Sequence, residues 1–256
     1  DLENKILELG AENVACFIAE PLLASGGVIV PPPGYQRRTW EICRKYDVLY
    51  ISDEVVTGFG RLGHIFASQP MFDIEPDIIT CAKGLTSGYV PLGAMLVSDR
   101  LFATLTETAG KGQFFANGFT YSAHPVCCAV ALETLALYEE RDILGHVQKV
   151  APRLQAGLRR FADHPLVGEV RGTGLIAGLE LVADKRAKTP FPAAAGVGAR
   201  VAAQCQENGL IVRAMGDTIA LCPPLIITEG EIDEVLARLG RSLDQAAAGL
   251  PRQEVR

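Results

Sequence analysis

Lys83 is the residue of this sequence whose position most strongly suggests chemistry. The apolar run at 78–82 that precedes it is typical of a buried parallel strand. The ordinary explanation for a lysine here is that the strand reaches solvent, because most charged side chains are exposed. The other explanation is a catalytic amine that attacks a carbonyl carbon. The rest of the chain has to separate these two interpretations.

Asp53 ends another predicted strand, VLYISDE at 48–54, thirty residues before Lys83. In open α/β sheets, ligands bind outside the carboxyl ends of the strands, so both residues are expected to face one crevice. An amine and a carboxylate in this arrangement suit pyridoxal phosphate (PLP). A lysine holds that cofactor as a Schiff base, and an acid accompanies its pyridinium nitrogen. Charge pairing keeps the nitrogen protonated, which lets the ring accept electrons.

The elements that position these residues alternate through the first 140 residues. Strands are predicted at 14–20, 48–54, 78–82 and 93–99, with helices at 35–46 and from His124 onward. This pattern predicts an α/β fold with a parallel or mixed sheet.

A smaller α+β unit is predicted from residue 143. It has helices at 142–162, 194–208 and from Thr228, and strands at 167–172, 175–182, 210–213 and 218–222. Thr228 and Glu231 have the spacing of a capping box. The predicted domains are therefore 1–142 and 143–256.

Bulk composition excludes several classes of function. The net charge of −6, without a basic cluster, argues against nucleic acid as a partner. No apolar run is long enough to span a bilayer, and no signal peptide is recognised. The seven cysteines are odd in number, lack C-x-x-C and lie mostly in apolar surroundings, which predicts reduced core thiols in the cytoplasm. The four histidines show no metal-binding spacing, so no metal is expected.

Three motifs resemble nucleotide-binding signatures without their context. The strand at 48–54 resembles a Walker B strand, but no Walker A sequence accompanies it. The glycines at 58, 60 and 63 match G-x-G-x-x-G by letter, yet no apolar helix follows them. Gly172-Thr173-Gly174 suits a tight turn between strands.

Four stretches together make the sequence recognisable: AEPLLASGGVIVPPPGY (19–35), ISDEVVTGFGRLG (51–63), ITCAKGLTSGYVPLGA (79–94) and GFTYSAHPVCCAVAL (118–132). The chain resembles the class III aminotransferases, which are PLP enzymes of fold type I. The resemblance implies an incomplete mixed or parallel large-domain sheet followed by a smaller C-terminal α+β domain. Residues 85–94 and 210–228 look most similar to ω-amino acid or amine:pyruvate transaminases.

The resemblance assigns roles to individual residues. Lys83 matches the Schiff-base lysine that later moves a proton, and Asp53 matches the acid at the pyridinium nitrogen. Val55 matches the aliphatic residue against the cofactor ring, although ordinary core packing is an equal explanation. Thr120 matches a threonine that reaches the phosphate of the partner subunit's cofactor in a homodimer. On its own, Thr120 would be a residue of the loop approaching a helix.

Two further residues are candidates at the substrate end. Glu20 lies at the end of the first predicted strand and is expected to support the crevice as an acid behind the residues that contact the ligand. Arg213 matches the mobile arginine that binds a substrate carboxylate, a role that suits a planar guanidinium. Either side chain could instead be a solvated surface residue. Ser25 stands where ornithine-type enzymes carry a gating glutamate, which favours the amine:pyruvate type.

The resemblance also indicates that the chain corresponds to about the C-terminal three-fifths of a family member, without the phosphate-binding turn. The expected function is PLP-dependent transfer of an amino group from an amine or ω-amino acid to pyruvate. Aminomutases and decarboxylases share this scaffold and remain alternatives. A catalytically silent chain with an interaction or structural role is another.

Overall fold

The computed structural model of the chain describes residues 1–109 and 117–250. The chain forms two compact units. The first unit comprises Asp1–Pro21, Pro31–Gly60 and His64–Asp142, and the second comprises Leu22–Val30, Arg61–Gly63 and Ile143–Arg256. Within the described ranges, no helix has the length and apolarity needed to cross a membrane.

The first unit contains a mixed four-stranded sheet, as the sequence predicts. Its strands are β1 (Cys16–Ala19), β2 (Leu49–Asp53), β3 (Ile78–Cys81) and β4 (Ala94–Val97), in spatial order β1-β2-β3-β4. β1, β2 and β3 are parallel, and β4 runs antiparallel to β3.

The expectation that the strand before Lys83 is buried is wrong for most of its residues. Along β3 only Cys81 is buried, and the other three residues are half-buried. β4 beside it is exposed at three of its four positions, and no other described strand continues the sheet beyond β4. In the described part of the chain, this side of the sheet is therefore largely exposed to solvent.

The described helices of the first unit are α1 (Leu2–Leu9), α2 (Tyr35–Lys45), α3 (Ser68–Phe72), α4 (Asp99–Ala109) and α5 (Pro125–Glu140). Helices α1 and α2 pack with β2 around one apolar cluster. The cluster is formed by Ile6, Ile42, Cys43, Val48, Tyr50 and Ile74. Trp40 of α2 packs against it and donates its Nε1 hydrogen to the Glu75 carbonyl at 2.9 Å.

The second unit is an antiparallel sheet with three helices. It contains α6 (Ile143–Arg159), β5 (Val167–Thr173), β6 (Ile176–Leu181), α7 (Val197–Glu207), β7 (Arg213–Met215), β8 (Thr218–Leu221) and α8 (Glu229–Ala248). The strand order is β5-β6-β8-β7. The described residues also form short 3-10 helices at Ala11–Asn13, Lys83–Thr86, Arg160–Asp163 and Ala193–Ala195.

The capping box at Thr228 is confirmed. The Thr228 hydroxyl accepts the Glu231 N–H at 3.2 Å, and the Glu231 carboxylate accepts the Thr228 N–H at 2.8 Å. The strand predicted at 210–213 is misplaced, because β7 begins only at Arg213. The Leu210 N–H is instead donated to the Cys205 carbonyl at 2.8 Å, which closes the end of α7.

The predicted boundary after residue 142 stays a prediction, and the contacts add two early segments to the second unit. The Arg171 guanidinium donates to the Gly27 carbonyl at 2.7 Å and to the Val28 carbonyl at 3.1 Å. Arg61 donates to the Leu175 carbonyl at 2.9 Å. These bonds hold both segments against the residues around β5 and β6.

Candidate active site

Three of the predicted site residues follow three neighbouring parallel strands. Glu20 follows β1, Asp53 ends β2 and Lys83 lies two residues beyond β3. Ala19 pairs with Ser52, and Asp53 pairs with Thr80, so the strand ends are in register. The fold thereby brings an amine and two carboxylates to the same edge of the sheet, where α/β proteins bind ligands.

Asp53 is half-buried and has one carboxylate oxygen fixed by the backbone. Its Oδ1 accepts the N–H of Val55 at 3.0 Å. Val55 lies in the turn that follows β2, two residues after Asp53. Val55 is half-buried as well. The carboxylate is therefore oriented while solvent still reaches it.

Lys83 is exposed and begins the 3-10 helix at Lys83–Thr86. Its backbone φ is 45°, in the left-handed region that residues other than glycine rarely adopt. The side chain lines a cavity of about 420 Å³ together with Thr86, Gly88, Tyr89, Val90, Pro91 and Leu92. The strand does surface at this lysine, as the ordinary explanation expects, and the amine lies beside an open cavity.

Cys81 precedes Lys83 by two residues and is buried. Burial raises the pKa of its thiol, because the charged thiolate is disfavoured away from water. The sulfur therefore stays protonated near neutral pH and does not compete with Lys83 as a nucleophile.

Cys43 and Cys205 are also buried, but Cys16 and Cys222 are exposed. The expectation that most cysteines lie in the core is wrong.

Glu54 is a residue that the sequence analysis missed. It is fully buried, and its carboxylate accepts hydrogen bonds from the Ser68 N–H at 2.8 Å, the Ser68 hydroxyl at 2.7 Å and the Thr57 hydroxyl at 2.7 Å. The Ser52 hydroxyl lies 2.8 Å from that of Ser68. An acid directly after a strand-ending Asp was the only signal in the sequence. Alternation along a strand then sends the two side chains to opposite faces.

Glu20 is half-buried at the end of β1. Its backbone carbonyl accepts the Gln36 side-chain N–H at 2.8 Å, and the Tyr50 hydroxyl donates to Gln36 Oε1 at 2.5 Å. Burial raises the pKa of Tyr50 to about 12, so this phenol remains a donor. α2 and β2 thus fix the backbone that presents Glu20.

Thr120 lies in an exposed turn that precedes α5. The turn is closed by the Phe119 N–H, which donates to the Ser122 hydroxyl at 2.9 Å, and by the Ser122 N–H, which donates to the Phe119 carbonyl at 2.9 Å. Phe119 is 88% exposed and Tyr121 is 80% exposed. Such a surface suits contact with another subunit. The reach of Thr120 to a partner's cofactor stays a prediction.

Arg213 and Ser25 belong to the second unit. Arg213 is the exposed first residue of β7 and pairs with Ala220 of β8. Ser25 is exposed in the turn closed by the bridge between Leu23 and Ile29. The glycines at 58, 60 and 63 lie in turns and open no helix, as expected for a false dinucleotide motif.

Comparison with known families identifies the chain. The model of the family described as Aminotransferase class-III matches residues 1–243. The chain belongs to the class III aminotransferases. Enzymes of this class use pyridoxal phosphate, and the family match confirms the predicted fold type with its mixed sheet.

Similar curated proteins include aminotransferases of plants. A gamma-aminobutyrate transaminase 1, mitochondrial, from Oryza sativa subsp. indica is 49% identical over 243 residues, which cover 95% of this chain and 47% of the relative. A gamma aminobutyrate transaminase 3, chloroplastic, from Solanum lycopersicum is 47% identical. The matched residues cover 95% of this chain and 46% of that relative. The chain therefore spans about half the length of the curated relatives that it matches.

Solved structures of transaminases have the same fold. A structure named as a transaminase with L-ala superposes with a TM-score of 0.94 at 46% identity, covering 98% of this chain and 59% of that chain. The omega transaminase from Pseudomonas jessenii in complex with PMP superposes with a TM-score of 0.92 at 46% identity. The match covers 96% of this chain and 54% of that chain.

The residues at the sheet edge fit the ring end of pyridoxal phosphate. Asp53 offers a half-buried carboxylate with one oxygen oriented by a backbone N–H, as a partner of the pyridinium nitrogen requires. Lys83 offers an amine beside a cavity at the end of the adjacent strand. Asp53 and Lys83 therefore fit the ring and the aldehyde of the cofactor, and the contact of Thr120 with the phosphate of a partner subunit's cofactor stays a prediction.

Proposed function

We propose that this chain takes part in the transfer of an amino group from an ω-amino acid or amine to pyruvate. Pyridoxal phosphate is the cofactor and Lys83 its Schiff-base lysine. One observation carries the proposal: Lys83 and Asp53 follow neighbouring parallel strands in a chain of the class III aminotransferase family. An amine and an acid at one sheet edge are the two protein groups that this cofactor chemistry requires.

Bound pyridoxal phosphate supplies an electron sink for the carbanion that forms at the substrate carbon. Asp53 would pair with the ring nitrogen and keep it protonated. Lys83 would hold the cofactor, and its amine would be the base that moves a proton at the substrate carbon. Val55 would pack against the ring, and Glu20 would support the crevice from the end of β1.

The choice of substrates is supported by the names of similar proteins. The names of the plant relatives contain γ-aminobutyrate, which is an ω-amino acid with its amine on the carbon farthest from the carboxylate. L-Alanine, named in a solved transaminase structure, is what pyruvate becomes when it receives an amino group. In this proposal Arg213 binds the substrate carboxylate through a bidentate ion pair.

Two further parts of the proposal concern assembly and location. A homodimer is supported by the exposed aromatic residues Phe119 and Tyr121 on both sides of Thr120, because large exposed apolar side chains mark contact surfaces. A cytoplasmic location is supported by the cysteine pattern, which suits a reducing compartment.

The first experiment tests Lys83 directly. The purified chain is incubated with pyridoxal phosphate, reduced with borohydride and mapped by mass spectrometry. The expected result is a pyridoxyl group on the Lys83 peptide, absent from Lys83→Arg, which keeps the positive charge. Adducts spread over many surface lysines would contradict the proposal. Lys185 is a suitable internal reference, because its amine already donates to the His164 carbonyl at 3.3 Å.

A second experiment separates transamination from other reactions of the class. Donor loss, pyruvate consumption and alanine formation are measured together. Transamination predicts that the three amounts are equal. An aminomutase would convert the donor without consuming pyruvate, and a decarboxylase would release carbon dioxide. Either result would be consistent with the proposed cofactor site, but it would show that the reaction is not transamination.

A catalytically silent role is the second candidate. It is favoured by two exposed aromatic side chains: Tyr89, which lines the cavity beside Lys83, is 85% exposed, and Phe119 beside Thr120 is 88% exposed. Surfaces of this kind mark protein contact sites. A chain that takes no pyridoxal phosphate at Lys83, and binds a protein partner through this surface, would establish this role instead.

A further inference from the structure

The loop that carries Lys83 rests on two aromatic side chains, Phe59 and Tyr138, which we call the aromatic clamp. Both are buried, with 4% and 8% exposure, and their rings stack with centroids 6.4 Å apart and planes at 17°. The Tyr138 hydroxyl donates to the carbonyl of Gly84 at 2.9 Å. On its other side Gly84 contacts Phe59 closely, since a Cβ at Gly84 would lie 2.8 Å from the Phe59 Cβ.

The backbone at Lys83 is in a conformation that requires support. A φ of 45° is unfavourable for a residue with a Cβ, and such conformations persist where the surroundings determine them. The turn after Lys83 is closed by the Leu85 N–H to the Ala82 carbonyl at 3.0 Å and the Gly88 N–H to the Lys83 carbonyl at 3.2 Å. A change of φ at Lys83 would swing its Cα–Cβ bond and move the amine at the end of the long side chain.

Phe59 is itself fixed by the segment that follows Asp53. Its φ is 56°, and its N–H is donated to the Ile65 carbonyl at 2.7 Å. The preceding Gly58 N–H is donated to the Glu54 carbonyl at 2.9 Å. One short segment therefore holds the carboxylate of Asp53 at its start and the clamp residue Phe59 at its end.

We propose that Phe59 and Tyr138 are positioning residues for Lys83. They hold the Lys83–Gly84 peptide in its left-handed turn, so that the amine projects toward the cavity lined by Thr86, Tyr89 and Pro91. They act through Gly84 and not on the reacting atoms. The inference rests on the proposed function, because the direction of Lys83 matters for the reaction only if Lys83 is the reacting amine.

The test compares two variants that each remove one hydrogen-bonded tyrosine hydroxyl from the first unit. Tyr138→Phe removes the bond to Gly84 and keeps the ring stack. Tyr46→Phe is the control, because its hydroxyl donates to the Glu3 carboxylate of α1 at 3.0 Å. Both are expected to lower the melting temperature, since each variant loses hydrogen bonding by a tyrosine hydroxyl.

Two measurements separate positioning from stability. Hydrogen exchange is measured on the peptide that contains residues 82–88. Attachment of pyridoxal phosphate to Lys83 is followed by borohydride quenching at graded times. Tyr138→Phe alone is expected to speed exchange in this peptide and to slow attachment at Lys83 by about tenfold, which one hydrogen bond can supply.

Each contrary outcome has a distinct meaning. Unchanged exchange in Tyr138→Phe would show that the clamp does not hold the loop. Faster exchange with attachment at the wild-type rate would show that the loop is held without directing the amine. Either result overturns the inference. Failure of the wild-type chain itself to attach pyridoxal phosphate at Lys83 would overturn the proposed function, while the exchange measurement would still decide whether the clamp holds the loop.

Discussion

Asp53 and Glu54 are adjacent in the chain and use their carboxylates in opposite ways. Asp53 is half-buried and accepts one backbone N–H, from Val55. Glu54 is fully buried and accepts three hydrogen bonds, from Thr57 and Ser68. The alternation of side chains along β2 and its continuation produces this division. One acid remains accessible to a ligand, and the other stabilises the turn that follows.

Replacing Glu54 by Gln should destabilise the first unit. An amide has one acceptor oxygen where the carboxylate has two, and its NH₂ group would face a buried hydroxyl. We expect the free energy of unfolding in urea to fall by about 2 kcal/mol. Glu75→Gln is the control, because Glu75 is exposed. Equal unfolding free energies for the two variants would show that the buried bonds add no stability.

Replacing Asp53 by Asn should weaken cofactor binding without unfolding the protein. The Asn oxygen can still accept the Val55 N–H, so only the negative charge is removed. We expect the Kd for pyridoxal phosphate, from an absorbance titration, to rise about 10- to 100-fold. Asp73→Asn removes a charge from an 84% exposed carboxylate and should leave this Kd unchanged. If Asp53→Asn bound pyridoxal phosphate with the wild-type Kd, Asp53 would not be the partner of the ring nitrogen.

Replacing Arg213 by Ala should affect donors that carry a carboxylate and spare neutral amines. We expect KM for an ω-amino acid to rise about 10- to 100-fold, because a charged hydrogen bond is lost. Arg186→Ala removes another exposed arginine of the second unit and serves as the control. Equal KM changes for an ω-amino acid and an uncharged amine would contradict a carboxylate-binding role.

His164 should make the second unit sensitive to mild acid. Burial lowers the pKa of its imidazole, an effect that the nearby Asp244 opposes, and Nδ1 accepts the Leu166 N–H at 3.2 Å. In the unfolded chain the pKa returns to about 6.5, so unfolding takes up a proton below that pH. The stability from neutral His164 is therefore complete above about pH 6.5 and decreases as the pH falls toward the lower folded-state pKa.

Urea unfolding between about pH 8 and pH 5 measures this dependence. His164→Asn keeps an acceptor for the Leu166 N–H and cannot be protonated, so its stability should vary less with pH. His64→Asn should keep the wild-type slope, because His64 accepts the Gly60 N–H at 2.9 Å through its backbone carbonyl, which the substitution leaves in place. If the free energy of unfolding depended on pH equally in the wild type and both variants, groups other than His164 would cause the acid sensitivity.

The positions of Asp53 and Lys83 could be predicted because each charged residue directly follows the apolar run of its strand. The capping box was equally local, since Thr228 and Glu231 are three residues apart. The hydrogen bonds of Glu54 were not predictable in this way. Ser68 is fourteen residues further along the chain, and its approach depends on the path of the turns between them.

Three further features have no clear signature in the sequence around them. The segment Leu22–Val30 joins the second unit because Arg171, 144 residues after Gly27, donates to its carbonyl. Residues 210–212 have the apolar pattern of a strand, but the end of α7 engages Leu210 first. The left-handed backbone at Lys83 also has no local signature, because lysine does not favour that conformation.

Trp40 gives the protein a built-in optical probe of one unit. It is the single tryptophan of the chain, and it lies on α2 with the guanidinium groups of Arg37 and Arg44 at 4.9 and 5.8 Å from its ring. Its fluorescence therefore reports on the first unit alone, whereas far-ultraviolet circular dichroism records helices of both. Melting curves that coincide in the two signals would indicate cooperative unfolding of the units, and separate midpoints would give each unit its own stability.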